Sequence, residues 1–493
     1  MVVLWAGAVW GDTAGNDLWF RETVANEGIA NVYDYGAVCD YAEGVAPGSL
    51  TDDSAAIQAA IDAVAASRTD NLHTVFIPDR CYVSSTILFK NYMRIKSTGT
   101  NQGFGGIFCA AGMDDDCVRS EVSGSPDWHA INVEDMNIVK VRACPDTTTC
   151  NSGVTCSCNT STDTLGSGID MVDYPAEAAV FRNLYIRGFP QFGINVGAGV
   201  GGSGVNFDRI VLHENGIAPA LTGTATGTQS STTLVDTGAP FGADDTKIGW
   251  WVRTSDGNTR EVNDSTSTTL TVSPAWGVTP TTAVTTYSLD WGGGMVIETG
   301  ATGVHHLNIS NIGGDDNQPA LIIISGGSGG NHSGGVGVEI HNVKSEDGAN
   351  GGQINALRFI NTGINTLLSG ASHKQGADGP MVYWEGIGTP THFQYQNINP
   401  RAEASATQIL LDSTGVDTAA NRIQIGPGAT PVSYSHEGSF PSRILVELMG
   451  APPFTCSAHW KGNEYYNTDI DEKCICNGSA WKPVSDPAGT TCT

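Results

Sequence analysis

The chain has no apolar run approaching the roughly 18 to 20 residues that a membrane-spanning helix needs, so no membrane span is expected. It is also poor in charge, and in positive charge above all. Charged residues make up 15% of its 493 positions, and 24 Lys and Arg face 51 Asp and Glu, a formal net charge of −27 at pH 7. That field would repel a nucleic-acid backbone, which leaves carbohydrate, divalent cations or protein as partners. The opening MVVLWAGAVWGDTAGNDLWF lacks the basic segment of a secretion signal, so Met1 to Thr23 read as a processed end or an assembly segment within an extension over 1–29.

What the chain does have is glycine, 62 residues of it, and long Ser/Thr/Asn/Asp stretches. Gly supplies positive φ and Asn and Asp tolerate it, which predicts many short strands joined by tight turns. With 40% hydrophobic residues, the chain buries a large core, and its length calls for an elongated fold or several domains. The 12 cysteines fall in three groups: Cys39, Cys81, Cys109 and Cys117; Cys144, Cys150, Cys156 and Cys158; and Cys456, Cys474, Cys476 and Cys492. The middle group lacks paired CxxC knuckles and a neighbouring His, so disulfides fit better than zinc. Disulfides place the chain in an oxidising, extracellular environment, with the pairing open.

The best-signalled helix covers about 52–66. Thr51 is placed to cap it, Asp52 and Asp53 favour the positive end of its dipole, and Ile57, Ile61 and Val64 form an apolar stripe. From about Gly168 the chain repeats without being identical, in phrases such as FRNLYI, FDRIVL, VHHLNI and VEIHNV. Such a pattern predicts a β-solenoid whose rungs bury their inward faces against one another, with the helix covering one exposed end. Residues 219–290 are Thr-rich and break the pattern, so they read as a small inserted β domain between solenoid parts at 30–218 and 291–445. The remainder, 446–493, is rich in Cys and aromatics. Its Trp460, Tyr465, Tyr466 and Trp481 either stack on sugar faces or build a cystine-stapled core.

NVYDYGAVCD, SLTDDSAAIQAAIDA and TVFIPDRCYVSSTILF resemble the opening of the pectate-lyase-superfamily β-helix proteins, a group that includes polygalacturonase-like hydrolases and phage tailspikes. The resemblance is specific over about 30–100 and diffuse to about 440. It implies an all-β fold, a single-stranded right-handed parallel β-helix with three-faced rungs and an N-terminal capping helix. It also implies a groove along one face, activity on acidic or complex polysaccharide, a homotrimer, and an extracellular or virion-surface location. The tail GNEYYNTDIDEKCICNGSAWKP resembles a short module found at the ends of viral tail and adhesion proteins.

Glycoside hydrolysis needs a carboxylic acid and a carboxylate about the bond, whereas a lyase needs a base and a cation to neutralise the uronate. The best carboxylate pair is Asp315 and Asp316 in GGDDNQPALIIIS, at a bend before a strand. They match the paired acids of polygalacturonase-like enzymes, and His332 in GGNHSGG loosely matches the family's Gly-His-Gly. The family's Asn-Thr-Asp is missing, GGQINALRF stands where Arg-Ile-Lys is expected, and Arg94 to Lys96 come too early to replace it. The alternative for the pair is an Asx-type turn. His305, His306, Glu339 and His341 lie on neighbouring strands as substrate-binding candidates. For a lyase, Lys344, Arg358 or Lys374 would be the base and Asp315 or Asp347 would hold Ca²⁺; Arg358 is also a substrate-binding candidate. These readings predict a polysaccharide hydrolase or lyase, with a non-catalytic adhesion or virion-structural rod as the alternative. No cofactor is otherwise expected.

Overall fold

The computed structural model describes residues 29–42, 45, 47–66, 73–100, 105–113, 115–121, 131–141, 166–171, 179–196, 204–216, 221–238, 241–242, 251–255, 259–273, 276, 278–290, 292–298, 307–317, 320–325, 338–346, 355–360, 366–374, 382–385, 392–396, 399–401, 409–412, 422–425, 434–437, 444–449, 456, 464–467, 472–485 and 491–492. One sheet holds ten strands in parallel, from Ile87–Phe89 at one end to Tyr434–Glu437 at the other. A second, 20-stranded sheet wraps the other sides of the same coil. The chain alternates between the two sheets, one turn per rung, and this defines the expected right-handed parallel β-helix.

The wrap depends on one corner repeated rung after rung. Ile131–Lys140, Val180–Arg187, Asn206–His213 and Leu307–Asp315 are long strands that bend at Asp135, Asn183, Arg209 and Asn311, with φ of 54°, 53°, 55° and 57°. In the next two rungs the same corner is Asn342 at 53° and Gly370 at 68°. The register aligns Val-Glu-Asp-Met, Phe-Arg-Asn-Leu, Phe-Asp-Arg-Ile, Ile-Ser-Asn-Ile, Ile-His-Asn-Val and Leu-Ser-Gly-Ala. Thus FRNL, FDRI and IHNV are true repeats, while in the Leu307–Asp315 rung the repeat is ISNI rather than VHHL.

A left-handed residue with a Cβ costs about 1–2 kcal/mol. Side-chain bonds across rungs offset it: Asn183 Nδ2 donates to Asp135 Oδ1 at 2.8 Å, Asn311 Nδ2 to Asp208 Oδ1 at 2.8 Å, and Asn342 Nδ2 to Asn311 Oδ1 at 3.2 Å. Inside the corner, Phe181, Leu184, Phe207, Ile210, Ile309 and Ile312 are buried in one continuous core. Phe181 stacks on Phe207 with ring centroids 4.9 Å apart. Each such side chain contributes roughly 1.5–3 kcal/mol through burial, so the rungs hold together by stacking.

The helix spans Ser54–Ala66 and buries Ile57, Ala60, Ile61 and Val64 against the first strands, closing that end of the core. Its start differs from the expected Thr51 cap. Thr51 donates its N–H and hydroxyl to Asp40, while Asp52 accepts from the N–H groups of Ser54 and Ser84, both at 3.1 Å. Asp53 accepts from Val38 N at 2.7 Å and Cys39 N at 3.0 Å, tying the preceding loop to the helix. Burial pushes the Asp53 carboxyl up, against the lowering effect of those two N–H groups.

Between Asn206–His213 and Gly293–Glu298 the chain leaves the coil and forms a six-stranded antiparallel sheet within Leu221–Asp290. This sheet has its own core around Leu234, Phe241, Val262, Leu270, Tyr287 and Leu289. At the far end, Glu464–Asn467 joins the coil in parallel and continues into an antiparallel meander through Glu472–Cys476 and Trp481–Pro483. Disulfides join Cys456 to Cys476 and Cys474 to Cys492, and Trp481 is buried among them, so it belongs to a cystine-stapled core. Two further disulfides, Cys39–Cys81 and Cys109–Cys117, brace the first rungs. Cys144, Cys150, Cys156 and Cys158 lie outside the described residues, as do residues 1–28 and the side chains of Trp460, Tyr465 and Tyr466. Among the described residues no helix is long and apolar enough to cross a membrane.

Candidate functional site

Beyond the corner, strand alternation sends Leu184 and Ile186, then Ile210 and Leu212, into the core, and their neighbours outward. Two outward tracks result, crossing successive rungs about 4.8 Å apart. One carries Tyr185, Val211, Gly313 and Lys344 in register. The other carries Arg187, His213, Asp315 and Glu346.

The second track forms a connected polar cluster. His213 Nδ1 is hydrogen-bonded to Asp315 Oδ1, and His213 Nε2 lies 3.7 Å from Glu214 Oε2. Arg187 Nε donates to that same Glu214 oxygen at 2.9 Å and also reaches the Tyr185 hydroxyl. Below these groups, buried Asn215 Nδ2 donates to Asn317 Oδ1 at 2.9 Å, and Asn317 Nδ2 donates to the Leu212 carbonyl at 2.9 Å. This asparagine pair locks the turns that follow His213 and Asp315 onto each other. Glu214 and Asp316 occupy equivalent left-handed positions in those turns, with φ of 52° and 54°.

Burial raises the Tyr185 phenol above its ordinary value; Arg187 opposes the rise, while the charges of Glu214 and Asp315 reinforce it. For Arg187, burial on its own would lower the guanidinium, but Glu214 and Tyr185 outweigh it and the net shift is upward. Because a carboxylate only accepts, the Asp315 bond fixes the proton of a neutral His213 on Nδ1 and leaves Nε2 with a lone pair. Glu214 holds the Arg187 guanidinium in place and Asp315 holds the His213 ring. Such a cluster can move a proton through the imidazole and present a guanidinium to an anionic group.

The residues singled out by sequence distribute unevenly. Asp315 lies in the cluster with its side chain 41% exposed, whereas Asp316 is buried in the turn and does not share its space. Lys344 is on the adjacent track, its Nζ 2.7 Å from Glu346 Oε1. Glu339 and His341 lie before the corner, 3.6 Å apart through Oε2 and Nε2, and His341 Nδ1 meets Ser369 Oγ at 2.6 Å. Arg358 is on the other sheet and 0% exposed, pointing away from the core that takes Leu357 and Phe359. It does not face the cluster. His305, His306, His332 and Asp347 lie outside the described residues, and Lys374 only has its strand position beside Glu346. Arg187, His213, Glu214 and Tyr185 are the groups no motif marks. The signal for them is the alignment of His-Glu-Asn with Asp-Asp-Asn, at 213–215 and 315–317.

Among the described residues, the group close enough to hold a metal ion is Cys39, Asp53 and Cys81. Its two sulfurs are joined in a disulfide and offer no thiolate.

Fold and site together define a parallel β-helix protein with a polar cluster on its outer surface. The chain matches no protein-family model and no curated protein sequence. Among solved structures it is similar to ORF18 of Geobacillus virus E2, at 13% identity and a TM-score of 0.34, over 90% of this chain and 59% of that one. It is also similar to tailspike protein 2 of the Escherichia coli O157:H7 bacteriophage CAB120, at 10% identity and a TM-score of 0.41, over 85% and 42%. A third is the Streptococcus pneumoniae surface protein and adhesin PfbA, at 13% identity and a TM-score of 0.36, over 85% and 93%. The chain thus spans less than two thirds of the length of either phage protein.

Proposed function

We propose that this chain binds and processes an extracellular polysaccharide along the outer tracks of the β-helix. His213 is the proton-transfer group, Asp315 holds its ring, and Arg187 supplies local positive charge. The observation that supports this reading is the convergence of Tyr185, Arg187, His213, Glu214 and Asp315 from three adjacent rungs of an otherwise strongly acidic chain. Hydrolysis by two carboxyl groups needs one as acid and one as base or nucleophile about the bond, whereas here Glu214 is engaged by Arg187 and Asp315 by His213. Proton abstraction next to a uronate carboxyl, with the negative charge met by Arg187, suits the cluster better. The four disulfides among the described residues fit an oxidising location at a cell exterior or virion surface, and a homotrimer is part of the same proposal.

A second reading, a non-catalytic adhesion or virion-structural rod, is favoured by one observation. Arg187 pairs with Glu214 and His213 with Asp315, so the same groups also staple rungs together.

The test is incubation with uronic-acid and neutral polysaccharides, with and without EDTA, following new reducing ends and the ultraviolet absorbance of unsaturated uronates. Both signals together support β-elimination, and their loss with EDTA adds a metal. Reducing ends alone favour hydrolysis, and no product from any glycan favours the rod. Sedimentation of the same preparation reads the oligomeric state.

A further inference from the structure

On the other side of the corner from His213, the outward residues carry a second set of reactive groups. Register places Ser310, His341, Ser369 and Gln396 in one column on successive rungs. Glu339 and Leu367 stand one outward position earlier on the strands of His341 and Ser369, and they pair with each other. The alternate residues Ile340 and Leu368 are buried in the core, so Glu339, His341, Leu367 and Ser369 face away from it.

Ser369 Oγ lies 2.6 Å from His341 Nδ1, and Nε2 of the same ring lies 3.6 Å from Glu339 Oε2. With a carboxylate on the Nε2 side, the neutral ring carries its proton there and offers the Nδ1 lone pair to the serine hydroxyl. Among the described residues that hydroxyl has no other partner. A hydroxyl, an imidazole and a carboxylate in this order are the nucleophile, base and orienting group of acyl transfer, which are recognised by geometry and role. The surroundings suit a small acyl group. Half-buried Leu367 offers it an apolar contact on the same strand face as half-buried Ser369, and Gly370, at a φ of 68°, leaves the corner beside Ser369 without a side chain. Gln396, next in the column, is a residue type whose carboxamide donates to an oxyanion.

We infer that Ser369, His341 and Glu339 form a serine esterase site that removes acetyl-sized groups from sugar hydroxyls. Ser369 Oγ bonds to the acyl carbon and passes its proton to His341 Nδ1. The ester C–O bond then breaks, and Nδ1 returns that proton to the departing sugar oxygen. Water next attacks the acyl-serine, gives a proton to Nδ1 and releases the carboxylic acid, and Ser369 Oγ takes the proton back. Exposed Glu339 balances the imidazolium that forms in each half of the cycle. The sugar as bearer of the ester rests on the glycan reading above; the acyl transfer does not.

The test is treatment of the full chain with a fluorophosphonate probe, with the adduct located by peptide mass spectrometry. Beside it, acetate release is followed from p-nitrophenyl acetate and from O-acetylated xylan and pectin. The adduct is expected on Ser369, and Ser369→Ala and His341→Ala are expected to lower ester turnover by about 10²-fold or more. Glu339→Gln, at an exposed position, is expected to lower it by about tenfold. A serine and histidine that only staple two rungs would take no probe. No adduct on Ser369, or parental turnover in Ser369→Ala, overturns the inference. Labelling uses the unaltered chain, so the comparison stands even where melting shows that a variant does not fold. Turnover of p-nitrophenyl acetate with no acetate from either polysaccharide would uphold the esterase and overturn the sugar as bearer of its ester. Neither readout depends on cleavage of the glycan backbone, so failure of the His213 reading is told apart from failure here.

Discussion

His213 and Asp315 share a hydrogen bond although 102 residues separate them in the chain. The inserted sheet lies within that interval, yet the two strands that carry these residues are paired without a shift from Asn206 to His213. An insertion at a rung corner therefore leaves the surface of the coil intact, and a dyad can be assembled across it.

The dyad makes the first prediction. His213→Ala removes the proton-transfer group and is expected to lower turnover by about 10²–10⁴-fold. Asp315→Asn keeps the shape but cannot balance an imidazolium, and about a hundredfold loss or more is expected. Steady-state kinetics on the cleaved glycan separates this from a stapling role. Full turnover with a lowered melting temperature in both variants would leave only the rung staple.

The adjacent track predicts where a sugar ring lies. Val211 is 44% exposed beside half-buried Tyr185, and a Cβ placed on Gly313 meets nothing within 4 Å. The three stand side by side on the track adjoining His213 and Asp315, with open space over Gly313. Gly313→Ala is expected to be silent, while Gly313→Trp fills that space, keeps the melting temperature and raises KM. Wild-type KM in Gly313→Trp would mean that the ligand passes elsewhere.

The solenoid is legible in FRNL, FDRI and IHNV because each carries the same apolar, polar, bend, apolar order. The corner residue itself changes among Asp, Asn, Arg and Gly, so no single letter repeats and the rung at ISNI is easily misplaced onto VHHL. Asp315 is legible because two acids at a Gly-rich bend stand out. His213 is not, because His-Glu-Asn reads as ordinary loop sequence until buried Asn215 and Asn317 impose its alignment with Asp-Asp-Asn. Arg358 shows the converse limit: period-2 alternation assigns it to the outward side of its strand, but cannot tell that this side is covered.

The corner carboxylates predict an acid-sensitive coil. Asp135 and Asp208 lie below the usual carboxylate range. Burial alone would raise them, but hydrogen bonds from Asn183 and Lys96 outweigh it for Asp135, as do those from Asn311, Ser310 and Arg209 for Asp208. A depressed folded-state pKa gives stability that is present above the unfolded value of about 4 and is lost as pH falls through the lower folded value. The melting temperature is expected to fall between about pH 5 and about pH 3, and Asp208→Asn to fall less steeply over that range. Equal slopes for the variant and the parent would exclude Asp208 as a contributor.

The C-terminal meander predicts a locally redox-dependent unit. Cys474 and Cys476 share one strand but bond to Cys492 and Cys456 respectively. Replacing Cys474 and Cys492 by Ser is expected to cost about 2–4 kcal/mol in this segment. Limited proteolysis should then cleave the tail first while the coil keeps its melting transition. A single transition lowered for the whole chain would show instead that the meander is integral to the coil.

The corner itself separates backbone strain from side-chain bonding. Asn311→Ala loses the bond to Asp208 and keeps a Cβ at a φ of 57°, so about 1–2 kcal/mol of destabilisation is expected. Asn311→Gly loses the same bond but relieves the left-handed conformation, and should cost less. Gly370→Ala runs the comparison in reverse, since φ is 68° and a Cβ would stand 2.6 Å from Asn342 Oδ1. It should therefore destabilise although it removes no side chain. Melting of the three variants orders the effects. If Asn311→Gly is worse than Asn311→Ala, the bond to Asp208 would be incidental to the ordering and the flexibility added to the unfolded chain would dominate; if the order is as expected, the left-handed corner is what each rung must accommodate in order to turn.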